Sequence, residues 1–184
     1  MKKKINKFSL GVLIIIIIIN IILLLSSGCE KSFTDPSINI MLTDAPATAF
    51  EQVNVNLKSV RILYDDTSIG WVTIPTFSGI YDLQVLNNLT RTVATVGSIP
   101  VGSIKEFQIL FGNGNTVVSH GTSYPLIVPN STETDLLVFL NTSLVENQKL
   151  SVTMDFDVDK SVVLEDDGTY VLNPVVTIKN ISYN

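Results

Sequence analysis

Beyond residue 36 the apolar positions alternate. Ile38, Ile40 and Leu42 point one way, and Asn39, Met41 and Thr43 the other. Val53, Val55 and Leu57 alternate with Asn54, Asn56 and Lys58, and then Val60, Ile62 and Tyr64 continue in the opposite phase. A strand has a side-chain period of two, so one extra residue flips its faces; the flip near Lys58-Ser59 predicts a β-bulge. Trp71–Ile74, Tyr81–Leu86, Ile104–Phe111, Thr116–Ser119 and Leu136–Leu140 also read as strands. So do Leu150–Val158, Val162–Leu164 and Tyr170–Ile178. Gly112-Asn113-Gly114-Asn115 and Asp166-Asp167-Gly168 carry hairpin chemistry, while Asp65–Ser68 and Glu146–Lys149 are polar breaks. No window sustains a helical period; at most Ala47–Gln52 makes a helical turn. Short strands at this spacing predict an all-β fold: a single β-sandwich over residues 37–184, with about eight to ten strands.

The first 28 residues follow another rule. Lys2, Lys3, Lys4 and Lys7 precede an apolar run from Phe8 to Leu25, with Ile14–Ile19 unbroken, and Ser26-Ser27-Gly28-Cys29 closes it. A basic head, an apolar core and small residues form an export signal. A cysteine directly after Ser-Gly resembles the lipobox of bacterial lipoproteins, in which cleavage precedes the cysteine and its thiol carries a diacylglycerol. Ser26 stands where that pattern prefers Leu. An uncleaved membrane helix is the alternative, since the run has about the minimum length for a span. Cys29, the chain's single cysteine, favours the lipid anchor, because an unpaired thiol is a liability in an oxidising compartment. Residues 1–28 are thus expected to be a lipoprotein signal peptide and 29–36 a short tether, reaching at most about 28 Å at full stretch. The expected location is the bacterial envelope, at the outer membrane, facing the periplasm or the surface, with Cys29 as the site of palmitate-type acylation. Glu30 leaves the sorting between membranes open.

Without the signal, 156 residues remain, with 8 basic and 17 acidic side chains and a net charge of −9. Nucleic-acid binding depends on clustered Lys and Arg, so this acidic body excludes it. A chain of this size builds a core without disulfides, and none can form within it.

Five stretches carry a resemblance. They are Met41–Pro46 (MLTDAP), Tyr81–Asn87 (YDLQVLN), Gly121–Leu126 (GTSYPL), Asp155–Val162 (DFDVDKSV) and Gly168–Val175 (GTYVLNPV). Their order and spacing resemble the bacterial and archaeal lipoprotein domain known as domain of unknown function 4382, over roughly Ser37–Ile178. The resemblance implies an envelope β-sandwich of immunoglobulin or transthyretin type, and no activity.

Candidate chemistry is sparse. Asp155, Asp157 and Asp159 alternate with Met154, Phe156 and Val158, as an acidic strand face would. Calcium is the cation such a face could take, with Glu165, Asp166 or Asp167 as further ligands. Calcium ligands lie about 2.3–2.6 Å from the ion, whereas alternate strand residues are about 6.6 Å apart. One ion could therefore draw in Asp157 and Asp159 but not all three, and a solvated acidic surface is the plainer expectation. Lys160 also stands where a calcium loop needs glycine. Asp44, before Ala45-Pro46, is read as the cap of the helical turn after the first strand. His120, the single histidine, lies in a turn with Ser119 and Ser123 nearby, and a turn seldom supplies the geometry of a base and nucleophile. Trp71, Tyr64, Tyr81, Tyr124 and Tyr170 could form a sugar-stacking platform, but aromatics on strands more often fill cores. The expectation is a non-enzymatic binding or assembly role at the envelope, with proteins or glycans as partners. The alternatives are a calcium-assisted glycan or peptide binder and a pilin-like surface polymer subunit.

Overall fold

The computed structural model describes residues 34–44, 49–87, 89–129 and 136–184. The strands are β1 Ser37–Thr43, β2 Gln52–Tyr64, β3 Trp71–Ile74, β4 Gly79–Asp82, β5 Arg91–Val96, β6 Gly102–Phe111 and β7 Thr116–Ser119. They continue with β8 Thr122–Ile127, β9 Leu136–Leu144, β10 Lys149–Phe156, β11 Val162–Leu164, β12 Tyr170–Leu172 and β13 Val176–Tyr183. One 3₁₀ turn, Leu83–Leu86, and one α-helical turn, α1 Val158–Ser161, interrupt them. The chain is an all-β sandwich, with more and shorter strands than expected.

One sheet has the order β13-β10-β1-β5; the other runs β11-β12-β8-β7-β2-β6-β9, with β3 and β4 also paired to β2. Both sheets are mixed: β1 pairs parallel with β10, and β12 parallel with β8. The core lies between them. Ile38, Ile40, Leu42, Leu150, Val152 and Met154 from one sheet meet Val53, Val55, Leu57, Val60, Ile62 and Phe107 from the other, all at 2% exposure or less. Burying one such side chain stabilises the fold by about 1.5–3 kcal/mol.

β2 organises the larger sheet, and its phase flip is real. Val53, Val55 and Leu57 are buried, Lys58 and Ser59 are not, and Val60, Ile62 and Tyr64 are buried again. The register against β6 shifts between Leu57 and Ser59. β7 and β6 lie end to end along one edge of β2, and β4 and β3 end to end along the other.

Several expectations need correction. Gly112–Asn115 is no hairpin, because the strands that it joins both run antiparallel to β2 on the same edge; the turn residues instead form the join in a broken strand. Tyr81–Leu86 is strand only to Asp82. The Asp82 carboxylate accepts N–H bonds from Gln84 (3.1 Å) and Val53 (3.4 Å), which starts the 3₁₀ turn. Tyr170–Ile178 divides into β12 and β13 around Pro174, which has no N–H for a ladder. β5 and β8 were missed. β5 buries the adjacent residues Val93 and Ala94, which hides its alternation. β8 contains Pro125, a residue that argues against a strand. Leu126 N–H points to Asn115 O on the β7 side (2.9 Å), so the Pro125 nitrogen faces away, where β12 pairs only from Leu126 onward. The Asp166-Asp167-Gly168 hairpin is present, with Gly168 at φ 86° and Glu165 N–H bonded to Thr169 O (2.9 Å). The helical turn expected at Ala47–Gln52 does not form over its described part: Ala49–Glu51 are bend and irregular chain and Gln52 opens β2, while Ala47 and Thr48 lie outside the described residues.

The strand directions define two ends. The tether end gathers Thr34, Ser98, Pro100, Asn147 and the chain's last residue, Asn184, while the far end gathers Asp44, Leu86, α1 and Val175.

Candidate functional site

A groove crosses the larger sheet at the β2 bulge. The partner strands on both edges of β2 break at this level. On one edge β4 begins at Gly79, opposite Leu57, and β3 ends at Ile74, opposite Val60. The chain between them leaves β2 and reaches β5, where Thr76 bridges to Ala94 and Phe77 N–H bonds Val93 O at 2.8 Å. On the other edge, four amide hydrogen bonds hold the join open. Asn56 N–H donates to Asn115 Oδ1 (2.7 Å), Gly112 N–H to Asn56 O (2.7 Å), Asn56 Nδ2 to Asn113 O (2.7 Å) and Asn115 Nδ2 to Gly112 O (2.8 Å). A Cβ on Gly112 would lie 2.8 Å from Asn56 Nδ2, so a larger residue would displace the Asn56 side chain from its place in the join.

The double break leaves a hollow of about 580 Å³, lined by Asn56, Lys58, Ser78, Gly79, Phe111 and Asn113 among others. A second hollow of about 300 Å³ shares its Gly112-Asn113 wall and runs on to Pro125 and Ile127. A third, of about 260 Å³, shares Pro125 and Ile127 and ends at Tyr124, Gly168, Thr169 and Tyr170. Tyr124 packs on Tyr170 with ring centroids 5.2 Å apart, and Phe50 meets Tyr170 edge-on at 6.0 Å. Tyr124 remains 38% exposed. Asp167 accepts the Thr169 N–H at 2.9 Å, and this bond holds its carboxyl below the usual range.

The aromatics do not form one platform. Tyr64 is a core residue, 2% exposed, whose hydroxyl donates to Pro100 O at 2.7 Å; burial pushes its pKa up to about 12. Tyr81 is buried beneath the Arg91 guanidinium, 4.9 Å from the ring. Trp71 is stacked against Arg61 at 5.1 Å on the outer face of the sheet. Tyr124 and Tyr170 line only the third hollow, and their rings lie on the core face of β8 and β12, the side of Val117 and Leu126.

The acidic triplet does not share a strand face. β10 ends at Phe156, and Asp157 caps α1, taking the Lys160 N–H at 3.1 Å and an ion pair from Lys160 Nζ. The hydrogen bond from the Lys160 side chain is the main cause of its lowered pKa. Asp155 lies 3.8 Å from Lys179 Nζ, and Asp159 is on α1. Among the described residues no three His, Cys, Asp or Glu side chains gather around a metal position.

Asp44 is fully buried, and its Oδ1 accepts the Val158 N–H at 3.4 Å, so it braces the start of α1, a turn 114 residues further along the chain. The turn it was expected to cap, Ala47–Gln52, is not helical over its described residues, Ala49–Gln52. Nearby, Ser161 Oγ donates to Asp157 O (2.6 Å) and accepts the Val175 N–H (2.8 Å). Stretches distant in sequence thus meet at the far end. His120 (φ 52°) and Gly121 (φ 72°) form the two-residue β7–β8 turn, a conformation that needs positive φ at both positions. The 3.0 Å contact between Ser119 Oγ and His120 Nδ1 joins neighbours in that turn. Cys29 lies outside the described residues, and no helix among those described is long and apolar enough to cross a membrane.

Sequence reasoning missed the groove. Its one signal was the phase flip at Lys58-Ser59, which marked the bulge but not the break in both neighbouring strands. No curated protein and no solved structure matches the chain. The family model described as domain of unknown function (DUF4382) matches residues 36–174, and the chain belongs to that family.

Proposed function

We propose that this protein is a lipid-anchored binding module of the bacterial envelope, held by an acylated Cys29 and without a reaction of its own. The observation that carries the reading is the basic head, apolar run and Ser27-Gly28-Cys29 sequence, followed by a sandwich whose ends are distinct. Four residues, Glu30–Phe33, separate Cys29 from Thr34, which is bonded to Asn147 at the tether end. The five Cα steps from Cys29 to Thr34 span at most about 18 Å, so the tether end stays near the lipid surface and the far end is carried away from it. Stable attachment needs more than one acyl chain, which a lipoprotein-type cysteine provides. A groove of adjoining hollows with amide and hydroxyl walls suits binding. Among the described residues no carboxylate is bonded to the His120 ring, whose Nδ1 meets only the neighbouring Ser119 Oγ, which supports binding over catalysis.

Labelling with radioactive palmitate in the native host tests the anchor. The wild-type chain should take up label and sediment with membranes, and Cys29→Ala should lose both properties. An unlabelled wild-type chain beside labelled lipoprotein controls would refute the reading.

A further inference from the structure

We infer that the outer face of the larger sheet, where it adjoins the tether, rests on the lipid surface, with Phe139, Trp71, Val101 and Val145 entering the boundary between headgroups and acyl chains. This rests on the lipid-anchor reading and deepens it, since it fixes how the held domain is turned. Residues paired directly across strands share a sheet face. Leu63 pairs with Trp71 on one side and Glu106 on the other, and Glu106 pairs with Phe139. Arg61 pairs with Gln108, and Gln108 with Leu137. The row between these two, Ile62, Phe107 and Val138, is buried in the core, so both rows lie outside. There Trp71 is 40% and Phe139 65% exposed. The two rings stand three strand spacings apart, about 14 Å.

The polar strip between the two rings is closed. Glu106 and Gln108 are buried, and Gln108 Oε1 accepts from Arg61 Nε at 2.6 Å while the guanidinium stacks on Trp71. The face therefore presents apolar edges and keeps the carboxylate out of contact. Towards the tether end the β6–β9 ladder finishes at the Gly102–Leu144 pair. Val101 and Val145 extend it by one residue on each strand, and both are exposed.

The position of the tether selects lipid as the occupant. Thr34 N–H donates to Asn147 Oδ1 (3.0 Å), and Asn147 N–H donates to Thr34 O (2.8 Å). Asn147 lies in the β9–β10 turn, two residues after Val145, so the tether meets the domain at the β9 corner of this sheet. Cys29 is at most about 18 Å from Thr34. Its acyl chains bring that corner to the bilayer, and Val145 and Val101 with it. Aromatic side chains favour the interfacial zone of a membrane, and such contact strengthens with the apolar area buried. Asp65, Asp66 and Glu146 are exposed at the same end beside Lys105 and Lys149, in a body of net charge −9. Anionic headgroups repel such a body, so the face suits a zwitterionic lipid surface.

Trp71 is the chain's single tryptophan and serves as its own probe. The acylated protein, purified from its native host, would be placed in phosphatidylcholine vesicles whose acyl chains are brominated close to the headgroup. Trp71 emission should be quenched relative to unbrominated vesicles. The double variant Phe139→Glu/Val145→Glu should lose most of that quenching while keeping its palmitate label, its sedimentation with vesicles and its melting curve, since both side chains are exposed. Val85→Glu, exposed at the far end, should leave the quenching unchanged. A protein that carries palmitate and sediments with vesicles, yet shows no quenching or quenching indifferent to the double substitution, would overturn the inference and leave the anchor standing. A dimer that shields Trp71 from the lipid would give the face to a second copy and overturn it equally. Quenching in a chain without palmitate would remove the anchor and keep the docking face, and loss of both would overturn both.

Discussion

At the tether end the hydrogen bonds made by the tether itself and by Ser98 lie in the open: Thr34 N–H to Asn147 Oδ1 (3.0 Å) and Ser98 Oγ to Asp35 (2.6 Å) both join exposed groups. At the far end the corresponding groups are sealed. Asp44 and Ser161 are 0% exposed and tie the end of β1 to α1 and to the start of β13. Water competes for the first set and not the second. An exposed bond is readily replaced by solvent, whereas a buried partner that is lost leaves a desolvated group unpaired. These exposed tether contacts therefore position the domain and add little to stability, while the far end fixes how distant segments cross.

The largest effect is expected from Asp44→Ala, which strands the Val158 N–H in the interior. Denaturant unfolding should show a loss of about 2–4 kcal/mol; a loss no greater than that of an exposed substitution would erase the contrast between the ends. Ser161→Ala removes both hydroxyl bonds and should cost about 1–3 kcal/mol by the same measurement. Tyr64→Phe probes the core near the tether end. It should cost about 1 kcal/mol at neutral pH through the lost bond to Pro100 O. Because burial raises the Tyr64 pKa from 10.0 to about 12, its neutral form contributes stability in full below pH 10, and this contribution is lost as pH rises towards 12. Stability of the wild type should fall across that window, and the Phe variant should fall less steeply. Ser98→Ala, at the exposed contact with Asp35, should change stability by under about 0.5 kcal/mol.

What could be read from the sequence followed from how local each signal was. The β2 bulge was legible because Leu57 and Val60, both buried, are three positions apart where a regular strand would place same-face residues at even spacing. The Asp166–Gly168 hairpin was legible because its turn and both strands are contiguous. Gly112–Asn115 was not, since glycine and asparagine serve a tight reversal and a join between collinear strands equally well; only pairing to β2 separates the two. The Asp155–Asp159 stretch read as strand because α1, at four residues, is too short to display a helical period. Asp44 announced a cap, but nothing near it in sequence identifies Val158 as its partner. The groove was hidden for a related reason: its walls come from Asn56, Ser78 and Asn113, brought together only by sheet order.

The direct test of the orientation is depth-dependent quenching on the acylated protein in lipid vesicles. Fluorophores would be placed singly at Ser98, on the tether end, and at Asp159, exposed on α1 at the far end, with nitroxide-headgroup lipid as quencher. The account predicts strong quenching at position 98 and little at position 159. Equal quenching at the two positions, or stronger quenching at 159, would contradict a domain held by its tether end with α1 directed away from the membrane.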